Sequence, residues 1–208
     1  MREVATPLGP AHVHDHEPDG AVRGTLVLGG GAGGGVDAAD LVAVAGAGCA
    51  AGWRVLRVDQ PWRVAGKRIA PAPARLDEGW TAVLTTLAGD GVLTGPLVLG
   101  GRSAGARVAC RTASSAGAAG VLALAFPLHP PGRPEKSRAG ELALAGVPLL
   151  VVQGATDAFG GPDEVAAVLP AGGRVHAVPG DHALKKDVAA VATAAADWLG
   201  NEIAQRHR

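Results

Sequence analysis

Leu97-Val98-Leu99-Gly100-Gly101-Arg102-Ser103-Ala104-Gly105 is the stretch that decides the fold. Leu97 to Leu99 is short and apolar with breakers on both sides, which reads as a buried strand, and Ala104 to Ala116 continues as a helix. Between them, Gly101-Arg102-Ser103-Ala104-Gly105 matches Gly-x-Ser-x-Gly. In that pattern a serine occupies a sharp strand-to-helix turn that lifts its hydroxyl off the sheet. The turn brings backbone segments close together, so its neighbours must be small; Gly100, Gly101, Ala104 and Gly105 are. Ser103 is the candidate nucleophile. The Ala104 N–H, at a helix start where no intrahelical acceptor exists, is a candidate donor to a developing oxyanion. The plainer role for Ser103 is that of a helix cap.

Outward from this turn, strand-like and helix-like segments alternate. Thr25 to Leu28, Arg54 to Val58, Val121 to Phe126, Leu149 to Gln153 and Arg174 to Val178 read as strands. Asp37 to Gly48, Asp77 to Leu87, Asp163 to Leu169 and His182 to Leu199 read as helices, with a short helix within residues 135–145. Val4 to His16, interrupted by Pro7, Gly9 and Pro10, suits one or two edge strands. Such alternation predicts a mostly parallel sheet covered by helices on both faces. Right-handed crossovers then gather the strand-to-helix loops at one sheet edge, where functional groups belong.

A serine hydroxyl needs a base to act at neutral pH. Of seven histidines, His182 follows the Pro179-Gly180-Asp181 turn and can reach back over the sheet edge. Asp157 follows the Leu149–Gln153 strand and would hold the ring in its productive tautomer. The order Ser103, Asp157, His182 is the order expected of this constellation. Asp181 is a rival orienter, though its adjacency to His182 suits helix capping better. His129, in the Pro-rich loop after Phe126, is a rival base or a pocket residue. His12, His14 and His16 alternate on one strand face and read as surface residues rather than metal ligands; His176 lies in a strand, and His207 in the terminal tail.

The segment from Gly29 to Gly35, broken only by Ala32, follows the Thr25–Leu28 strand. Its backbone, free of side chains, can approach a substrate carbonyl, which places a second oxyanion donor at or near the Ala32 N–H, beside Gly31. The same glycines fit a dinucleotide pattern, with Asp59 placed to hold a ribose. That reading leaves Ser103, Asp157 and His182 without a joint role. Trp62 lies after a strand and is a candidate pocket residue at the same edge. Arg133 and Lys136 would favour an anionic substrate group if their loop turns toward Ser103. Arg102 would brace the elbow.

Composition narrows the function classes. The 208 residues carry 19 basic and 19 acidic side chains and no basic block, which argues against nucleic-acid binding. Aromatics are 3% and tyrosine is absent, so Val, Leu, Ile and Ala must fill the core. Two cysteines, Cys49 and Cys110, make no disulfide framework. The start, Met-Arg-Glu-Val, lacks a signal-peptide pattern, and no apolar run is long enough for a bilayer. The expectation is one domain over residues 1–208, cytoplasmic, without cofactor or metal and acting on a small-molecule acyl substrate.

Several blocks together resemble a known family. They are the Leu28-to-Asp37 loop, Gly100–Gly105, Phe126-Pro127-Leu128-His129-Pro130-Pro131-Gly132-Arg133-Pro134-Glu135-Lys136, Val152–Gly160 and Gly180-Asp181-His182-Ala183-Leu184-Lys185. Over nearly its whole length the chain resembles the small α/β-hydrolase-like family that includes testis-expressed protein 30 and the hydrolase-like region of a chromatin complex subunit. More distantly it is similar to dienelactone hydrolases. The resemblance implies an α/β-hydrolase fold without a large lid, and Ser103, Asp157 and His182 as nucleophile, acid and base. The glycine loop departs from that family's His-Gly-Ala-Gly pattern, with Gly30 in the histidine's place. An N–H donor survives this change, whereas the rigidity of the loop depends on what else holds it. The resemblance also leaves open a scaffolding role, since some members look like interaction proteins.

Overall fold

A computed structural model describes residues 1–32 and 34–206; Gly33 of the glycine loop and His207 lie outside the described residues. The strands are β1 (Arg2–Val4), β2 (Ala11–His16), β3 (Gly24–Gly29), β4 (Trp53–Asp59), β5 (Leu97–Arg102), β6 (Gly120–Leu124), β7 (Leu149–Gly154) and β8 (Gly173–Val178). The main helices are α1 (Ala39–Ala50), α2 (Pro61–Val64), α3 (Pro73–Gly89), α4 (Ala104–Thr112), α5 (Ala139–Ala143), α6 (Pro162–Ala166) and α7 (Val188–Trp198). The eight strands form one sheet in the order β1-β2-β4-β3-β5-β6-β7-β8. The pairs β1–β2 and β2–β4 are antiparallel, and every pair from β4–β3 to β7–β8 is parallel.

Strand side chains alternate between two apolar layers because successive residues point to opposite faces. Leu26 and Leu28 join Leu41, Val44, Val191 and Trp198 on the face covered by α1 and α7. Val27 turns to the other face, with Trp80, Val83, Val108 and Phe126 under α3 and α4. All four tryptophans, Trp53, Trp62, Trp80 and Trp198, fill these layers, compensating for the shortage of aromatic volume. The Cys110 thiol is buried within one layer, which pushes its pKa up to about 12 and leaves it inert.

The last helix corrects an expectation. It begins at Val188, not at His182, and its cap is Asp187, whose Oδ1 accepts the Ala190 N–H at 2.9 Å. Asp181 instead closes a local turn by accepting the Ala183 N–H at 3.0 Å. An Ala-rich run has high helix propensity from His182 onward, but Leu184 takes a positive φ of 52°, which interrupts the helix and frees His182 in a loop. Among the described residues no helix is long and apolar enough to cross a membrane.

Candidate active site

Ser103 is the single residue between β5 and α4, with φ 55° and ψ −108°. A non-glycine residue here is strained by about 1–3 kcal/mol, and persists only where its surroundings impose it. The Ser103 N–H donates to the Leu124 carbonyl at 2.9 Å, which ties the turn to β6. The glycines are a packing demand: a Cβ at Gly105 would stand 2.2 Å from the Gly29 oxygen, and one at Gly101 2.3 Å from the same atom. Strand β3 therefore passes directly against the elbow. The Ser103 side chain makes no cap hydrogen bond to α4, so the capping role does not describe it.

The hydroxyl instead faces an imidazole. His182 Nε2 lies 2.9 Å from Ser103 Oγ, and His182 Nδ1 lies 2.8 Å from Asp157 Oδ2. Only Nδ1–H can donate to the carboxylate, so Nε2 presents a lone pair to the hydroxyl proton. The Asp157 side chain is fully buried, while that of His182 retains 22% exposure. Proton acceptance is thus open to solvent and substrate on one side and anchored in the interior on the other.

Two loops must meet for this to occur. Asp157 follows β7 and His182 follows β8, the neighbouring strand. Gly154 permits their approach, since a Cβ there would stand 2.4 Å from the Asp181 oxygen. Thr156 then fastens the loops together: its N–H and its hydroxyl both donate to the Gly180 carbonyl, at 2.9 and 3.0 Å. The Phe159 ring lies against the His182 imidazole, centroids 4.3 Å apart. Neither Gln153 nor Phe159 was singled out in the sequence. The signal for Gln153 was present as a polar residue ending the apolar Leu149–Val152 run.

Other expected site residues have different surroundings. Gly31 is buried beside the elbow, where a Cβ would be 3.2 Å from Ser103 Cβ, and Ala32 is exposed at the tip of the same loop. Arg102 is buried, its Nε 3.6 Å from Asp40 Oδ2, and its Nη2 borders Gly34. Asp40 is held above the usual carboxylate range by burial, with the Arg102 charge opposing that shift. Trp62 turns into the core and walls a cavity of about 100 Å³ with Leu8, Gln60 and Pro71. Arg133 and Lys136 are exposed on the Pro-rich loop, and neither makes an ion pair with the described residues around Ser103. His176 is exposed on the edge strand β8.

His129 is not positioned as a base. Its Nδ1 faces the Pro130 carbonyl at 3.0 Å and its Nε2 faces Glu164 Oε2 at 3.1 Å. Both partners are acceptors, an arrangement that favours the doubly protonated ring. The Pro130 carbonyl, followed by Glu164, accordingly raises its pKa. The histidines of β2 are also engaged separately: His12 approaches Glu3, His14 approaches Asp59, and His16 Nε2 accepts from Arg57 Nε at 3.1 Å. Burial first, then the Arg57 charge, lowers the His16 pKa. Among the described residues no three His, Cys, Asp or Glu side chains converge to hold a metal ion.

Among the described residues, the features needed for a dinucleotide are not assembled. Residues 36–38 separate the glycine loop from α1, so the glycines do not open a helix directly. Asp59 Oδ1 faces the Val36 N–H at 3.4 Å, and its other oxygen faces His14.

A family profile described as an alpha/beta hydrolase domain matches residues 22–205. The chain belongs to the alpha/beta hydrolase family. Solved structures agree on the fold of this chain. A serine hydrolase homologue from Coxiella burnetii is 18% identical, with 95% of this chain and 96% of that one covered and a TM-score of 0.80. A serine hydrolase without a lid from Xanthomonas campestris is 19% identical over 95% and 92% of the chains, at a TM-score of 0.77. A dienelactone hydrolase from Anabaena variabilis is 19% identical over 95% and 94%, at a TM-score of 0.73. No curated protein sequence matches this chain. The chain has the lidless form of the fold, and its family membership supports a general hydrolase role.

Proposed function

We propose that residues 1–208 form a single-domain serine hydrolase that cleaves a small ester or thioester through an acyl-serine intermediate. The observation that carries this reading is the unbroken chain Ser103 Oγ, His182 Nε2, His182 Nδ1, Asp157 Oδ2, with its two links at 2.9 and 2.8 Å. In the first half-reaction His182 takes the Ser103 proton as the oxygen attacks the carbonyl carbon. The tetrahedral oxyanion is held by the Ala104 N–H and by a second N–H at or near Ala32. Collapse expels the alcohol or thiol, to which His182 returns the proton. In the second half-reaction His182 deprotonates water, which attacks the acyl-serine and restores the free hydroxyl. Asp157 keeps the imidazole in the Nδ1–H tautomer and balances its charge when it is protonated.

The narrower family assignment, to the branch with testis-expressed protein 30, rests on the Phe126–Lys136 block and belongs to this proposal, as does a cytoplasmic setting. No nucleic acid, membrane or cofactor enters the mechanism. The lidless form and the residual exposure of His182 suit a compact substrate reached directly from solvent. Labelling with fluorophosphonates of several sizes, followed by peptide mass mapping, tests the reading: the adduct should sit on Ser103. Well-folded protein that takes no label would overturn it and favour a non-catalytic interaction protein on the same fold.

A further inference from the structure

Gln153 is the penultimate residue of β7 and is completely buried. Its Oε1 accepts the Phe126 N–H at 2.9 Å, which fixes the orientation of the carboxamide. The Nε2 end then faces acceptors alone: the Gly160 carbonyl at 2.7 Å, Asp157 Oδ2 at 2.9 Å and the Phe126 carbonyl at 3.2 Å. Asp157 Oδ2 is the oxygen that also meets His182 Nδ1. The remaining oxygen, Oδ1, accepts the Phe159 N–H at 2.8 Å. Both carboxylate oxygens are therefore engaged inside the protein, and the group cannot turn about its Cβ–Cγ bond without breaking a buried hydrogen bond.

We propose that Gln153 is a positioning residue, whose carboxamide aims the Asp157 carboxylate at His182 and clamps the loop that carries it. Its grip on the Gly160 carbonyl closes the turn begun at Asp157, where the Gly160 N–H returns to the Asp157 carbonyl at 3.2 Å. That turn carries Phe159, whose ring rests on the imidazole. Two restraints on His182, one polar and one aromatic, thus pass through one side chain. The end facing the carboxylate must be a donor: an aliphatic side chain leaves buried acceptors unpaired, and an ionised carboxylate meets them with repulsion. The inference deepens the serine-hydrolase reading and rests on it for its kinetic consequences, whereas its effect on the imidazole is measurable without turnover.

Two variants test it. Gln153→Leu removes the donor, and Gln153→Glu keeps the shape while making the donor conditional on protonation. With an ester substrate, Gln153→Leu should lower kcat about 10²-fold. KM should hardly change, since the buried side chain cannot touch substrate. The ratio of Gln153→Glu to wild-type activity should fall as pH rises between about pH 6 and pH 9. Independently of turnover, ring 15N shifts of His182 should report the Nδ1–H tautomer in wild type and its partial loss in Gln153→Leu, or in Gln153→Glu at high pH if the leucine variant does not fold. A flat activity ratio and an unchanged tautomer would overturn the inference. A wild type that neither labels nor turns over, yet shows the tautomer change on substitution, would sink the hydrolase reading and leave the positioning role standing.

Discussion

On the acid–base side of the site, Asp157 has each oxygen engaged at 2.8–2.9 Å by a donor of fixed direction. On the glycine-loop side, the Val36 N–H reaches Asp59 at 3.4 Å and Arg102 stands 3.6 Å from Asp40. Backbone crowding supplies much of the remaining constraint: a Cβ at Gly30 would lie 3.1 Å from the Gly35 backbone, and one at Gly31 3.1 Å from the Arg102 carbonyl. One side is placed by a closed set of hydrogen bonds, the other by close contact, buried charge and the Arg57 guanidinium's bond to the Val36 carbonyl. The first should fail when a polar atom is removed, the second when a carbon is added. Gly30 thus sits where a Cβ would crowd the returning backbone.

The largest expected effect is on the acid–base side. Ser103→Ala should lower kcat about 10⁶-fold, by analogy with nucleophile removal in other serine hydrolases. Its circular dichroism should be unchanged, and methyl substitution should not disturb the strained turn. Next comes Asp157→Asn, which keeps the shape but offers the imidazole an altered hydrogen-bond partner; kcat should fall about 10⁴-fold, read from steady-state kinetics. If both variants turned over normally, the hydrogen-bonded side would not be the working side.

Adding carbon tests the other half of the contrast. Gly105→Ala places a methyl group 2.2 Å from the Gly29 oxygen; β3 or α4 must shift, at a cost of about 3 kcal/mol or more. Denaturant midpoints measure that loss. Gly31→Ala is milder, because its nearest atoms are 3.1 and 3.2 Å away. It should reduce kcat/KM about tenfold by pushing the proposed oxyanion loop off the elbow, with little change in stability. A Gly31→Ala enzyme indistinguishable from wild type would show that the loop is not held by crowding.

The smallest effect concerns the His129–Glu164 pair, which braces the loop bearing Phe159 through the His129 N–H to Phe159 carbonyl bond at 3.0 Å. His129 is raised above 6.5, chiefly by the Pro130 carbonyl, so its contribution is complete below pH 6.5 and fades as pH climbs through the raised value. Glu164 is lowered below 4.5, chiefly by the Gly161 N–H, so its contribution is complete above pH 4.5 and is lost as pH falls through the lowered value. The Tm difference between wild type and Glu164→Gln should therefore peak between pH 4.5 and 6.5. At most it should reach about 2–4 °C, because the Glu164 side chain is largely exposed.

Local pattern in the sequence determined the alternation of strands and helices, the small-residue elbow around Ser103 and the order of Ser103, Asp157 and His182. These were legible because periodicity, turn chemistry and packing at the elbow are set by near neighbours. Helix propensity misplaced the start of α7, since nothing local announces the positive φ of Leu184 that keeps His182 in a loop. Only the tertiary structure decided that His129 faces Glu164, that Trp62 turns to the core, and that Gln153 holds the Asp157 carboxylate. Each depends on which groups from β6, β7 and the loops beyond them face one another, and the direction of a hydrogen bond between distant residues is a property of the folded packing alone.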